Sequence, residues 1–116
     1  MKIQVVKNQI SRQDLKEIMK EYAGDFVKAV VDVQLEIMAV GGEFHSDEEV
    51  LLMEQEKSAR ENTWGVNLWP EKSGEDFIEF DSMINLKPFY GNRTRNVDNV
   101  QIQEKIKQIV NKLVKE

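Results

Sequence analysis

The sequence predicts a single α+β domain with a mostly antiparallel sheet of about five strands and three helices, in the order β-α-ββ-α-ββ-α. Three observations carry this reading. Helix-start signals recur at three separated places, each followed by apolar residues at helical spacing. Between them lie paired β-rich runs whose connections are short enough for hairpins. The length, 116 residues, suits one hydrophobic core.

Each element can be justified in chain order. Ile3 to Val6 is a short apolar run and reads as a first strand. Ser11 is an N-cap candidate, Asp14 stands at the reciprocal capping-box position, and Ile10 and Leu15 occupy the two hydrophobic-staple positions. Leu15, Ile18, Met19 and Tyr22 share one helical face, so a helix is expected from about Arg12 to Tyr22, with Gly24 as its stop. Phe26 to Asp32 and Leu35 to Val40 read as strands of an antiparallel hairpin that Gly41-Gly42 ends. Val33-Gln34-Leu35 between them lacks the Gly or Asn that would define the turn. Apolar side chains at successive positions of both strands predict a central location, covered on both faces.

Ser46 with Glu49 suggests a second capping box and a helix from Asp47 to about Gln55. Trp64, Val66 and Leu68 alternate with Gly65, Asn67 and Trp69 until Pro70, and Glu71-Lys72-Ser73-Gly74 is turn chemistry. Phe77 to Ile84 is the expected partner strand, with Leu86 to Val97 a loop. Asp98 is the expected cap of the last helix, with Gln101 at its capping-box position and Ile102, Ile106, Ile109, Val110 and Leu113 as its buried stripe.

Composition narrows the function classes. The net charge of −5 argues against broad, non-specific nucleic-acid binding, which needs many Lys and Arg to neutralise phosphates. The absence of cysteine removes disulfides, thiol nucleophiles and cysteine-based zinc sites. The apolar run at the N-terminus is too short for a signal peptide or a membrane span, so the expectation is a cytoplasmic protein with no membrane partner.

Charge is unevenly distributed. Gly41 to Glu61 holds seven acids against Lys57 and Arg60, whereas Ser82 to Val97 holds no acid but Lys87, Arg93 and Arg95. The stretch Gly91-Asn92-Arg93-Thr94-Arg95-Asn96 is the leading binding candidate. Two guanidinium forks can grip carboxylate or phosphate, Asn92, Thr94 and Asn96 offer further hydrogen bonds, and Phe89 or Tyr90 can pack on an organic group. The loop also runs into the start of the last helix, a natural anion-binding position. The plainer alternative is a surface loop whose arginines pair with acids.

Two other groups can carry chemistry. His45, the only histidine, titrates near neutrality and sits beside Glu43 and Asp47, although nothing of the HExxH kind accompanies it. It can equally serve as packing at a helix start. Strand alternation puts Glu79 and Asp81 on one sheet face with Asn67 opposite, as an acid–base pair, as carboxylates for a divalent metal, or as a solvated face.

The blocks Gly41-Gly42-Glu43, His45 to Glu49, Trp64-Gly65 with Asn67-Leu68, Gly74 to Asn85, and Gly91-Asn92-Arg93 with Arg95 resemble a family of small uncharacterised prokaryotic proteins, over most of the chain from about Phe26 onwards. The resemblance implies a free-standing bacterial or archaeal protein. It implies no mechanism and supplies no catalytic residue.

The leading functional expectation is therefore the binding of a small anionic or phosphorylated ligand through the basic loop. A metal-assisted hydrolase built on His45, Glu43, Glu79 and Asp81 is the enzymatic alternative, and a self-associating interaction protein, a homo-oligomer, is the third. No cofactor is specified by any motif, and the metal requirement stays open.

Overall fold

The structure, a computed structural model, describes residues 2–116. Its main sheet contains β1 (Gln4–Val6), β3 (Val27–Asp32), β4 (Ile37–Val40), β5 (Thr63–Leu68) and β6 (Ile78–Glu79), in the order β1-β4-β3-β5-β6 and antiparallel throughout. The helices are α1 (Arg12–Glu21), α2 (His45–Glu56) and α3 (Val100–Leu113). The α+β class, the five-stranded antiparallel sheet and the three helices are as the sequence predicts. A small addition was not foreseen: β2 (Ile10–Ser11) pairs in parallel with β7 (Val114–Lys115), tying the start of α1 to the end of α3. Among the described residues no helix is long and apolar enough to cross a membrane.

Strand alternation sorts the sheet into two unlike faces. Val27, Ala29 and Val31 of β3, Met38 and Val40 of β4, and Trp64, Val66 and Leu68 of β5 join one apolar cluster with Leu15 and Met19 of α1 and Ile106, Ile109, Val110 and Leu113 of α3. The intervening Val30, Ile37 and Ala39 form a smaller cluster with Leu52 of α2 and Ile84. On the β5–β6 side this second face is polar, because Lys28, Thr63, Gly65, Asn67 and Glu79 occupy the alternate positions there.

The β3–β4 connection shows how a turn forms without glycine. The Asp32 carboxylate accepts the backbone N–H groups of Gln34 and Leu35 at 2.8 and 2.9 Å, and Glu36 takes the left-handed conformation at φ 58 before β4 begins. At the end of α1 the left-handed residue is Ala23, with φ 51, rather than the expected Gly24.

The helix starts differ in a way that matters later. At α1 the capping box is present as predicted: the Ser11 hydroxyl accepts from Asp14 N–H at 2.9 Å and the Asp14 carboxylate accepts from Ser11 N–H. At α3 the cap is Asn99, not Asp98, and its side chain accepts from the amides of Gln101 and Ile102. Asp98 is diverted because its carboxylate accepts from Arg93 N–H and the Thr94 hydroxyl. The capping box expected from Ser46 and Glu49 does not form. Helix α2 begins earlier, after Phe44, with no side-chain cap, and Glu49 is turned instead to Arg60 and Thr63.

The second hairpin is shorter than predicted. Only Ile78 and Glu79 of the expected Phe77–Ile84 strand enter the ladder, opposite Leu68 and Asn67. Beyond them a side chain replaces the strand: the Asn85 amide accepts from Gly65 N–H at 2.8 Å and donates to Gly65 C=O at 3.0 Å, as a neighbouring peptide would. Ser82 packs so closely on Gly65 that a Cβ there would lie 2.5 Å from the Ser82 hydroxyl oxygen, so only glycine fits.

Candidate functional site

The polar half of the second face opens into a cleft of about 490 Å³. Its floor comes from Phe26 and Lys28 of the segment entering and forming β3, and from Asn67 of β5. One wall is the start of α2, Phe44 with His45 and Ser46; the other is the irregular segment Asp81 to Ile84 with Arg95 leaning over it.

The α2 wall presents unused backbone donors. With no side-chain cap at Phe44, the amides of His45 and Ser46 have no acceptor among the described residues. Such amides, together with the helix dipole, favour an anion. Asp47, also in the first turn, is exposed, and Glu48 faces inward, so neither supplies the missing cap.

His45 Nε2 lies 2.8 Å from the Val66 carbonyl oxygen. A carbonyl only accepts, so the proton sits on Nε2 and the lone pair on Nδ1. Burial lowers the His45 pKa; the bond to Val66 and the charge of Asp81 oppose that shift, while Lys28 and Arg95 reinforce it. The net effect favours the neutral ring.

Cations flank this wall. Lys28 Nζ donates to the Glu43 backbone carbonyl at 2.9 Å and lies 5.4 Å from the centre of the Phe44 ring. Across the cleft Arg95 Nε donates to Asp81 Oδ1 at 2.7 Å, a half-exposed ion pair. Asn67 is 5% exposed, and its amide nitrogen donates to Glu79 Oε1 at 2.9 Å and to the Asp81 carbonyl at 3.3 Å. Both neighbours accept only, so the amide is fixed in orientation, and Asn67 Oδ1 is left buried with no partner among the described residues.

Buried polar contacts hold the segment that carries Arg95. The Asn92 side chain donates to the carbonyls of Asn85, Thr94 and Asn96 and accepts from Asp98 N–H. Asn85 also donates to the Arg95 carbonyl at 2.9 Å. Below them Lys87 Nζ donates to the carbonyls of Arg60 and Thr63 and lies 4.3 Å from the centre of the Trp64 ring. Burial, with the Arg60 charge adding to it and Glu49 opposing, brings the Lys87 pKa down to about 8.

Of the residues singled out from the sequence, the structure brings His45, Asn67, Asp81 and Arg95 to one cleft, with Glu79 one hydrogen bond away from Asn67. Asn92 lies buried beneath its loop. Thr94 and Asn96 are engaged within it, and the Arg93 backbone binds Asp98. Tyr90 is half-exposed and stacks edge-on with Phe89, which is 90% exposed, at the loop tip. Glu43 lines a separate, smaller pocket of about 250 Å³ beside Tyr22.

The donor set of the expected metal site is not assembled. Among the described residues no three His, Asp or Glu side chains group so as to hold a metal ion. Glu79 is bound by Asn67 and Trp69, Asp81 by Arg95, and Glu43 stands apart.

Sequence reasoning missed Lys28, Asn85 and Lys87. The signal for Lys28 was available: a lone charge inside a strand expected to be covered on both faces must reach a cleft or a partner. Asn85 lay just past the predicted strand and Lys87 in the predicted loop, where burial leaves no periodic trace.

The family model described as "Protein of unknown function (DUF5674)" matches residues 4–113, and the chain belongs to that family. No curated protein and no solved structure matches the chain.

Proposed function

We propose that this member of a family of unknown function is a binding protein for a small anionic ligand, carboxylate or phosphate, seated in the cleft between α2 and Arg95. One observation carries the reading: the single long helix that starts without a side-chain cap begins at the wall of the same cleft that Lys28 and Arg95 flank. In α3 the Asn99 side chain takes the amides of Gln101 and Ile102, and in α1 Ser11 takes that of Asp14, whereas α2 has no side-chain cap at all. Backbone amides, a helix dipole and two cations give an anion both charge and direction.

The basic loop keeps a role in this reading, in a changed form. Arg95 is its ligand-facing cation. Asn92, Thr94 and Asn96 shape the backbone that presents it, and Arg93 and Tyr90 do not line the cleft. Phe26, Phe44 and Met83 offer apolar surface to an organic group. A volume of about 490 Å³ suits a small metabolite.

Calorimetric titration with phosphorylated metabolites, nucleotides and carboxylates tests the proposal. An anionic ligand is expected to bind the native protein and to lose at least about tenfold in affinity in Lys28→Ala/Arg95→Ala, roughly 1.4 kcal/mol. Equal affinity in that variant, shown to be folded by circular dichroism, would contradict it.

A second reading rests on His45. A neutral imidazole whose tautomer a carbonyl fixes, with a lone pair on Nδ1 in a cleft, is suited to general-base catalysis. Chemical change in a bound ligand, followed by NMR and lost in His45→Gln, would support it. A ligand that stays intact after prolonged incubation would exclude it for that ligand.

A further inference from the structure

The cleft is bipolar. Its α2 side offers amides and Lys28; its β6 side offers acceptors. There Asn67 Oδ1 is buried and unpartnered, the Glu79 carboxylate binds the same amide, and Asp81 lines the wall with one carboxylate oxygen engaged by Arg95. Lys28 and Asn67 face each other directly across β3 and β5, so the two poles are a single residue pair apart.

A buried carbonyl oxygen without a donor is costly, and the fixed orientation of Asn67 leaves it no escape by rotating the amide. None of the cations around the cleft is bonded to it: Lys28 is held at Glu43 and Arg95 at Asp81. Water or a ligand can supply the missing donor. A simple carboxylate has none to offer, and the nearby carboxylates disfavour further negative charge at this pole. A positively charged N–H group meets both conditions.

We infer that the ligand is an amino-acid-like zwitterion, its carboxylate at the start of α2 beside Lys28 and its ammonium at Asn67 Oδ1 and Asp81. The inference rests on the anion-binding reading and names the ligand class for the same site. An apolar side chain on the ligand would meet Phe26, Phe44 and Met83. Asn67 Oδ1 is closed to solvent, so an ammonium bound there requires the side chains over it to move.

The test pairs each amino acid with the carboxylic acid that differs only in lacking the amine. L-Alanine, L-valine, L-leucine and L-phenylalanine are titrated beside propionate, isovalerate, 4-methylpentanoate and 3-phenylpropionate, with inorganic phosphate as a bare anion. The expected result is that at least one amino acid binds about tenfold or more tightly than its partner acid. Asn67→Leu should abolish that preference. Since Asn67 also anchors β6, Asp81→Asn at the half-exposed wall serves as a second variant, expected to weaken the amino acid and spare the acid.

Equal binding of amino acid and partner acid would overturn the zwitterion and leave the anion site standing. Binding of phosphate or of the acids alone would do the same. Silence from every probe, phosphate included, would overturn the zwitterion and, with silence from the phosphorylated metabolites and nucleotides as well, the anion site.

Discussion

The two faces of the sheet are built by different rules. The face under α1 and α3 is held by many interchangeable apolar contacts, from Val27 and Leu68 to Ile106 and Leu113. The face under α2 joins a smaller apolar cluster around Leu52 to a few specific bonds: Asn85 to Gly65, Lys87 to Arg60 and Thr63, Glu49 to Arg60 and Thr63, and Glu48 to Gly42. Apolar packing gives stability that is spread over many residues. A polar scaffold can leave particular donors and acceptors unmatched at a chosen place, and the cleft lies where it does so.

The largest predicted effect falls on the apolar face. Ile106→Ala removes a fully buried side chain and should cost about 2–5 kcal/mol in urea unfolding. The anion affinity of the folded fraction should not change. A matching loss of affinity would mean that the faces are not separable.

Next is Asn85→Ala, which strips the Gly65 N–H and C=O and the Arg95 carbonyl of their partner. The expected cost is about 1–3 kcal/mol. Here affinity should fall together with stability, because the same amide holds the backbone of Arg95. Loss of stability with affinity intact would break the proposed link between scaffold and site.

Glu48 adds a dependence on pH. Its side chain is fully buried, Oε2 accepts from Gly42 N–H at 2.9 Å, and burial pushes its pKa well above the usual carboxylate range. A carboxyl with a raised folded-state pKa contributes stability below its unfolded pKa, and that contribution is lost as pH rises through the folded value. Glu48→Gln should therefore stabilise the protein progressively as pH is raised, with the Gly42 bond kept. Melting temperatures across the pH range decide this, and a variant whose curve parallels the native one would contradict it.

The smallest effects separate the two loop arginines. Arg93→Ala and Arg95→Ala should each change stability by less than about 0.5 kcal/mol, as exposed or half-exposed charges do. Only Arg95→Ala should weaken anion binding markedly. Equal losses would return the whole loop, rather than the cleft, to the centre of the account.

Legibility in the sequence followed the same division. Leu15 and Met19 in α1, the stripe Ile106 to Leu113 in α3, and alternation in β3 to β5 repeat with the period of their element, so they could be read without the structure. The capping box at Ser11 could be read as well, because its two bonds are local. What failed were bonds between distant residues. Asn85 ends a strand by reaching Gly65, twenty positions away, and Glu49 leaves its helix start for Arg60 and Thr63. The site was legible in part: His45, Asn67, Asp81 and Arg95 were named, but in three separate groups. Lys28 joined them only once β3 was placed against α2 and β5.

The central claim is that the uncapped start of α2 receives the anion. The most direct measurement is a titration of the ¹⁵N-labelled protein with an anionic ligand, following backbone amide shifts. The account predicts the largest changes at the amides of His45 and Ser46, saturating with ligand and needing at least about tenfold more of it in Lys28→Ala/Arg95→Ala. Changes confined to Arg93 through Asn99, with His45 and Ser46 unmoved, would contradict it.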